Sequence, residues 1–410
     1  MLGKETGKVV MIPRVIGVRA ARAGVTQPSQ VVNEYLTMQS NSGGLTSASA
    51  LWQLDSRVMI RGRHAIGNMD KSLTQVPLLE LTNGFMSFKT FAAAIELEVF
   101  TRLAGGRSVT VEQCADELGI APRPAGILLA ACASLGLLEK TGDGYRNSPL
   151  AERFLVAGQP HYFGGFVRFY DQLYPGWHNV VQALRTNRPI MWDAAERDTA
   201  FSADDSMMME TFWEAMHSLA GSTAQALAEV YDFGQHRRLL DVGGGSGGFP
   251  IELCQRFLGL SATVYELEHV CPIAEQKIKA AGLSERISTV AGDFKADAGL
   301  PGGHDVILLS QILHGEGEAT NRALLAKCFD ALRPGGMLLI CELLLNPERT
   351  GPPAAALMGM NMLVGQLDGR NYAATEYLSW LRDTGFTGPE VLRFDAAGAN
   401  GAVVARKGPE

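Results

Sequence analysis

The sequence predicts an α/β protein: a mostly parallel seven-stranded sheet with an antiparallel edge strand, preceded by an all-α winged-helix domain. Three observations predict it. From residue 237 onward, short apolar strands alternate with amphipathic helices, as in a parallel sheet covered on both faces. The last two strand-like runs, "EVLRF" and "GAVVARK", have no helix between them and read as a hairpin at the sheet edge. Between residues 76 and 150, helically spaced apolar residues lead into helix–turn–helix and a hairpin.

Residues 1–75 mix Ser, Gly and Gln with short apolar patches and read as an extension, partly disordered or a dimer arm. Helical spacing begins at 76 and runs through Phe88, Phe91, Ala92, Ile95, Val99 and Leu103. Thr110 can cap the next helix, and Gln113 completes a capping-box spacing. "RPAGILLAACASLGLL" is a second helix, and "LEKTGDGYRNS" a hairpin turning at Gly142, Asp143 and Gly144. A winged helix that reads DNA needs a basic second helix. Residues 121–138 carry only Arg123 as a charge, so this module packs against protein instead. Residues 76–220 are expected to form this helical packing or dimerisation domain, and 221–410 the sheet domain.

Two apolar clusters precede the sheet. Phe163, Phe166, Phe169, Tyr170, Tyr174 and Trp177 crowd one helical segment, as core or as a ligand cage. A following helix presents Met209, Trp213 and Met216, adaptable side chains suited to plain core or to a flat apolar ligand.

Composition narrows the class. The chain has 410 residues, 46% hydrophobic and 19% charged, the balance of a soluble globular protein of two or three domains. A net charge of −7 argues against a nucleic-acid partner. Six cysteines without a C-x-x-C pair read as reduced core thiols. No apolar run reaches the roughly 18 residues a membrane span needs, and the N-terminus lacks the features of a secretory signal. A cytoplasmic protein without a membrane partner is expected.

The functional signal is "LLDVGGGSGGFPIEL", residues 239–253, where a strand runs into glycines and out into a helix. In open α/β sheets ligands bind at the carboxyl ends of strands, and glycines there let a ligand lie on bare backbone. A phosphate loop of the G-x-x-x-x-G-K-[ST] type is excluded, because Phe249 and Pro250 stand where Lys and Ser/Thr must be. The run also satisfies G-x-G-x-x-G, which alone says little. Glu266, 25 residues after Asp241, is placed to bind ribose hydroxyls of a dinucleotide or of S-adenosylmethionine. Asp241 can reach a ligand ammonium and would repel a pyrophosphate. In "AGDF", Asp293 can accept from an adenine amine, or simply shape a turn, and Phe294 can cover the ring.

With "LLDVGGGSGG", "VYELEHV", "AGDF", "LLSQILHGEGE", "LRPGGMLLICELLL" and "MNMLV…GRNYAATEYLSWLRDTGF" in that order, the chain resembles the plant-type small-molecule O-methyltransferases (caffeic acid O-methyltransferase-like), in their bacterial natural-product branch. The resemblance covers roughly residues 85–407. It implies a Rossmann-like class I methyltransferase domain as the catalytic domain at 221–410, a dimerisation and substrate-lid role for 76–220, S-adenosylmethionine as cofactor, a homodimer and a small-molecule substrate. By position it implies Asp241, Gly243, Gly245, Glu266, Leu267, Asp293, Phe294 and Ser310 as cofactor contacts. His314 falls on the catalytic base and Glu342 on the acid that orients it. Phe166, Phe169, Trp177, Met209, Met216, Met358, Asn361 and Met362 are expected to line a pocket for a flat, mostly apolar, phenolic acceptor. A histidine near its ordinary pKa of ~6.5 can take the proton of a phenol with pKa of ~10.

Three departures mark this chain. Where the family reads His-Asp-Trp, it has His314-Gly315-Glu316; the missing Asp removes a cofactor-side contact and a potential metal ligand, so no metal is expected. Ser310 and Gln311 replace a frequent lysine or arginine. Asn371 stands at the place of the family's second acid. These departures keep an alternative open: C- or N-methylation, or a non-methylating hydroxylation, decarboxylation or cyclisation.

Overall fold

Apolar residues at every second position decide which strand side chains face which helical layer. The computed structural model describes residues 74–193 and 206–409, except the side chains of 206–210. The expected extension therefore lies, but for its last two residues, outside the described residues. Backbone packing divides the chain between Leu79 and Glu80. The unit Glu80–Glu410 holds the winged helix and the sheet.

The winged helix forms as its capping and turn residues dictate. Helix α1 (Gly84–Glu96) buries Ala92, Ala94 and Ile95. Helix α2 (Val111–Leu118) starts at Thr110, whose hydroxyl accepts from Gln113 N at 3.3 Å while Gln113 Oε1 accepts from Thr110 N at 2.9 Å. This capping box satisfies two backbone donors that a helix start leaves open. Helix α3 (Pro122–Ser134) begins on a proline and buries Ala125, Leu129 and Cys132 in the domain core. Part of the helix's apolar character serves this core, while Ile127 stays exposed. Strands β1 (Leu138–Thr141) and β2 (Gly144–Asn147) form the wing around Gly142–Asp143.

Helix α4 (Gly164–Leu173) carries the aromatic cluster, a 3-10 turn Tyr174–Asn179 follows, and α5 (Val180–Thr186) completes the segment. Helix α6 (Ser206–Val230) is continuous for 25 residues and runs across the expected domain limit near residue 220. It packs against α4 on one side and against the helix after the glycine loop on the other.

The sheet comprises β3 (Arg238–Val242), β4 (Ser261–Glu266), β5 (Ile287–Ala291), β6 (His304–Ser310), β7 (Leu332–Glu342), β8 (Thr387–Arg393) and β9 (Gly401–Arg406). Their order is β5-β4-β3-β6-β7-β9-β8. Strands β3 to β7 are parallel, and β9 runs antiparallel to both β7 and β8. The hairpin sits at the edge as the sequence predicts, with β9 inserted inside β8. Burial explains that order: Gly401–Ala405 are buried throughout, whereas β8 has no buried residue and can tolerate the rim.

Helices α7 (Gly248–Arg256), α8 (Cys271–Ala280), α9 (Glu318–Ala331), α10 (Pro353–Gly365) and α11 (Ala374–Thr384) cover the sheet. Leu239, Val264, Val306, Leu308 and Leu339 face the layer of α6 and α7. Leu240, Val242, Ile307, Leu309, Leu338 and Ile340 face the layer of α9 and α11. Burying each such aliphatic side chain stabilises the fold by about 1.5–3 kcal/mol before entropy is counted. Strand order reverses between β3 and β6, so their carboxyl ends flank a crevice at the switch point. The β3 end opens into the glycine loop, and the β6 end into the turn that carries His314.

Candidate active site

Alternation along β3 and β4 puts Asp241 and Glu266 on the same face as Leu239 and Val264. Both carboxylates therefore end up buried beneath the glycine loop, at 1% and 7% exposure. Gly244 is bare because a Cβ there would lie 2.6 Å from Asp241 Oδ2. Gly245 has φ +55°, a conformation that costs an L side chain about 1–2 kcal/mol, and its N–H donates to Glu266 Oε2 at 2.9 Å. The other oxygen of Glu266 accepts from Leu267 N at 2.8 Å. Asp241 Oδ1 is buried and has no hydrogen-bond partner in the structure. Burial, then repulsion from Glu266, pushes the Asp241 carboxyl well above its ordinary range. Burial also raises Glu266, against the pull of the Leu267 and Gly245 N–H groups. Two such carboxylates form a site for a cation rich in donors, and a poor one for a phosphate.

Other expected cofactor residues gather around this loop. A Cβ on Gly243 would lie 2.4 Å from Ile312 Cδ1 and 3.9 Å from the Phe294 ring, so both side chains close over Gly243. Asp293 Oδ1 accepts from Lys295 N at 2.8 Å, which is the turn-shaping role weighed for it. One carboxylate oxygen so used leaves acceptor capacity for a ligand amine. Ser310 ends β6 opposite Cys341 on β7, with its hydroxyl buried.

The second half of the site leaves the opposite face of the sheet. Glu342 closes β7 in register with Leu338 and Ile340, and is 1% exposed. His314 lies on the 3-10 turn Leu313–Gly315, directly after β6. Its Nδ1 is 2.6 Å from Glu342 Oε2. Glu342 Oε1 accepts from Leu313 N at 3.0 Å and His314 N at 3.4 Å. Burial works against the imidazolium, yet the charge and hydrogen bond of Glu342 outweigh it and raise the His314 pKa. Asn371, at the place of the second acid, does not reach the imidazole by a hydrogen bond; its Nδ2 donates to Leu343 O at 2.7 Å. Glu316 pairs with Lys295 at 2.7 Å, tying this turn to the Asp293 segment.

The expected substrate residues fall into two groups. Phe166 stacks on Phe163 and Tyr170, with centroids 4.8 Å and 4.4 Å apart. Tyr170 meets Phe169 edge-on, and Phe169 meets Phe212 at 5.2 Å. Phe212 in turn meets Trp213 at 4.8 Å, and the Trp213 ring lies against Gly245, 2.6 Å from where a Cβ would stand. An aromatic path thus runs from α4 to the glycine loop. Met216 lies half-buried one turn further along α6. The second group is on α10, which packs against the His314 turn and α5. Met358 packs on Leu343, Leu345 and Ala373, Met362 is buried, and Asn361 Oδ1 is buried without a partner. Trp177 sits half-buried in the turn between α4 and α5, in ring contact with neither group. The side chain of Met209 lies outside the described residues. The segment before α6 docks on α10 through Trp192 Nε1, which donates to Gly365 O at 2.7 Å, and Ile190 N, which donates to Val364 O at 3.0 Å.

Sequence reasoning missed several residues here. Ile312 covers Gly243. His217 Nδ1 lies 2.9 Å from Ser246 Oγ and fastens α6 to the glycine loop; burial, then Lys277, pushes its pKa down to about 4, so it is neutral near pH 7. Asn321 and Tyr372 hold the His314 turn from beneath. Only Trp213 had a signal, as part of the methionine-rich helix.

A Rossmann-like sheet with a glycine loop over two buried carboxylates, a His–Glu pair at the next strand end and a winged helix defines a two-domain methyltransferase. Residues 177–387 match the O-methyltransferase domain family, and residues 79–157 the O-methyltransferase dimerisation domain. The chain is 45% identical over 331 residues to 3-hydroxy-5-methyl-1-naphthoate 3-O-methyltransferase of Streptomyces sahachiroi, covering 80% of this chain and 94% of that one. It is 32% identical to the tetracenomycin polyketide synthesis 8-O-methyl transferase TcmO of Streptomyces glaucescens, covering 80% and 96%. Human N-acetylserotonin methyltransferase, solved in complex with SAM, superposes with a TM-score of 0.70 at 26% identity, covering 83% of this chain and all of that one. The chain belongs to the O-methyltransferase family. It is an S-adenosylmethionine-dependent O-methyltransferase acting on a small molecule.

The residues present fit that cofactor. Asp241 Oδ1 is a buried acceptor in want of a donor, which an α-ammonium supplies. Glu266 keeps one lone pair on each oxygen for ribose hydroxyls. The bare backbone of the loop admits a close-lying chain, and the Phe294 ring lies beside it.

Proposed function

We propose that this enzyme methylates a phenolic hydroxyl of a small, flat, mostly apolar aromatic acceptor, with His314 as general base and Glu342 as its orienter. The observation that carries this is the 2.6 Å contact between His314 Nδ1 and Glu342 Oε2. Nδ1–H donates to the carboxylate, which leaves the Nε2 lone pair free to accept a proton. Glu342 also stabilises the imidazolium that forms when the acceptor proton arrives. S-adenosylmethionine, when bound, supplies an electrophilic methyl group on a positively charged sulfur. Asp241, Glu266, Asp293 and Phe294 hold its ammonium, ribose and adenine parts, with Gly243, Gly245, Leu267 and Ser310 around them. Holding donor and acceptor in line is the larger part of such catalysis.

The naphthoate and polyketide substrates in the names of the two Streptomyces relatives support an aromatic natural-product acceptor. The aromatic path through Phe166 and Phe169 and the methionines of α10 supply apolar walls, with Asn361 as one polar contact. The dimerisation-domain match and the exposed apolar Leu81, Phe85, Met86 and Ile127 support a homodimer. The six buried, unpaired cysteines suit a reducing, cytoplasmic setting, and among the described residues no helix is long and apolar enough to cross a membrane.

The test combines calorimetric titration of S-adenosylmethionine with methyl-transfer assays on hydroxynaphthoates, simple phenols, and thiol and amine analogues. Methylation confined to phenolic hydroxyls is expected. Transfer to carbon or nitrogen in preference to oxygen would overturn the reading.

A further inference from the structure

The turn carrying His314 is weakly specified by its own sequence. Gly315 and Gly317 flank Glu316, and the space beside Gly315 is open. Glycines leave the backbone free to sample many conformations, and two backbone bonds close the turn itself, Gly315 N to Ile312 O at 3.0 Å and Glu316 N to Leu313 O at 3.3 Å, so contacts from outside the turn help decide where His314 sits. Glu342 supplies one restraint, accepting from the N–H groups of Leu313 and His314. On the turn's backbone that restraint acts on the amide side, while Oε2 holds the imidazole Nδ1 itself.

The carbonyl side is held by a residue of α9. Asn321 is fully buried, one turn into the helix, among Leu324, Leu325 and Cys328. Its Nδ2 donates to Leu313 O at 2.8 Å and to Glu316 O at 3.2 Å. One amide group thus bridges the residue before His314 and the residue two after it. Tyr372 OH donates to the same Glu316 carbonyl at 2.7 Å. Burying an amide in an aliphatic helix face costs stability unless it is hydrogen-bonded. An apolar residue would serve the core of α9 better, so packing does not account for Asn321.

We propose that Asn321 is a positioning residue for the base: by tying Leu313 O to Glu316 O it sets the His314 imidazole against Glu342 and the acceptor. It touches neither substrate nor cofactor and acts through the turn. This rests on the reading of His314 as general base.

The test uses the full chain with Asn321→Leu, of similar volume but without a donor, and Asn321→Asp, of the same shape but acceptor-only when ionised. Each is made in the wild-type and the His314→Ala background. Turnover of a hydroxynaphthoate acceptor, its KM, S-adenosylmethionine affinity and thermal midpoint are measured. Near pH 7, kcat is expected to fall about 10- to 100-fold, the loss a misplacement of about 1 Å produces. KM and cofactor affinity stay within about two-fold, and the loss vanishes in the His314→Ala background, because there is no base left to misplace. A lowered thermal midpoint with wild-type kcat in either folded variant would overturn the proposal. So would a loss that persists in full without His314. Full activity in His314→Ala alone would instead sink the base assignment.

Discussion

His314 Nδ1 and Glu342 Oε2 stand 2.6 Å apart although 28 positions separate the two residues. The sheet causes this. Strands β6 and β7 are parallel neighbours with Ser310 beside Cys341, so the turn after β6 opens against the last residue of β7. The pair is shielded, with the His314 and Glu342 side chains 13% and 1% exposed, and solvent screens it little.

A pH dependence follows from that pair. His314 has a raised pKa, and it must be neutral to accept a proton. Activity should therefore rise with pH through a midpoint above the ordinary histidine value of about 6.5. In Glu342→Gln the raising influences vanish and burial alone remains. The acid limb of kcat/KM should move to lower pH while the rate falls about 10²–10³-fold. A pH–rate profile of the two enzymes checks both, and an unmoved limb would count against the coupling.

Asp241 makes a second, opposite prediction for stability. Its raised pKa means the folded, cofactor-free protein gains a proton on folding, so its contribution to stability is lost as pH rises above the unfolded value of about 3.9. Asp241→Asn should leave the cofactor-free thermal midpoint near pH 7 unchanged or higher. It should also weaken S-adenosylmethionine binding at least ten-fold, which calorimetry reads directly. Lower stability with unchanged affinity would make Asp241 a structural residue.

Much of this was legible in the sequence because it rests on order and alternation. Asp241 lies one residue before the end of β3, Glu266 and Glu342 end β4 and β7, and strand ends in a parallel sheet converge. Thr110 and Gln113 announce their capping box by spacing alone. Asn321 was not legible, since an asparagine near a helix start reads as a surface residue until tertiary packing buries it. Trp213 over Gly245 and Ile312 over Gly243 escaped for the same reason: each contact joins elements whose approach no local pattern encodes. Asn371 stands in the sequence where the resemblance expects a second acid, and in the structure its amide donates to Leu343 O and not to the imidazole.

Gly369 offers a steric handle on the base. A Cβ there would lie 2.8 Å from His314 O and 3.0 Å from Gly315 O, both backbone atoms. Gly369→Ala should displace the turn and lower kcat about 10-fold or more, with S-adenosylmethionine affinity retained. Kinetics with a parallel titration separates the two; wild-type kcat would show that the turn yields without cost.

Thr110→Ala removes one half of a capping box far from the site. The thermal midpoint should drop in line with a loss of about 1 kcal/mol, with kcat unchanged. Calorimetric unfolding beside an activity assay checks it, and altered turnover would imply coupling between the winged helix and catalysis.

The most direct measurement is the kcat/KM of His314→Ala for a hydroxynaphthoate acceptor near pH 7, on protein shown to bind S-adenosylmethionine normally. A fall of about 10²–10⁴-fold is predicted, the usual contribution of a general base. Retention of the wild-type rate would contradict the assignment of His314 and, with it, the account of how this site removes the acceptor proton.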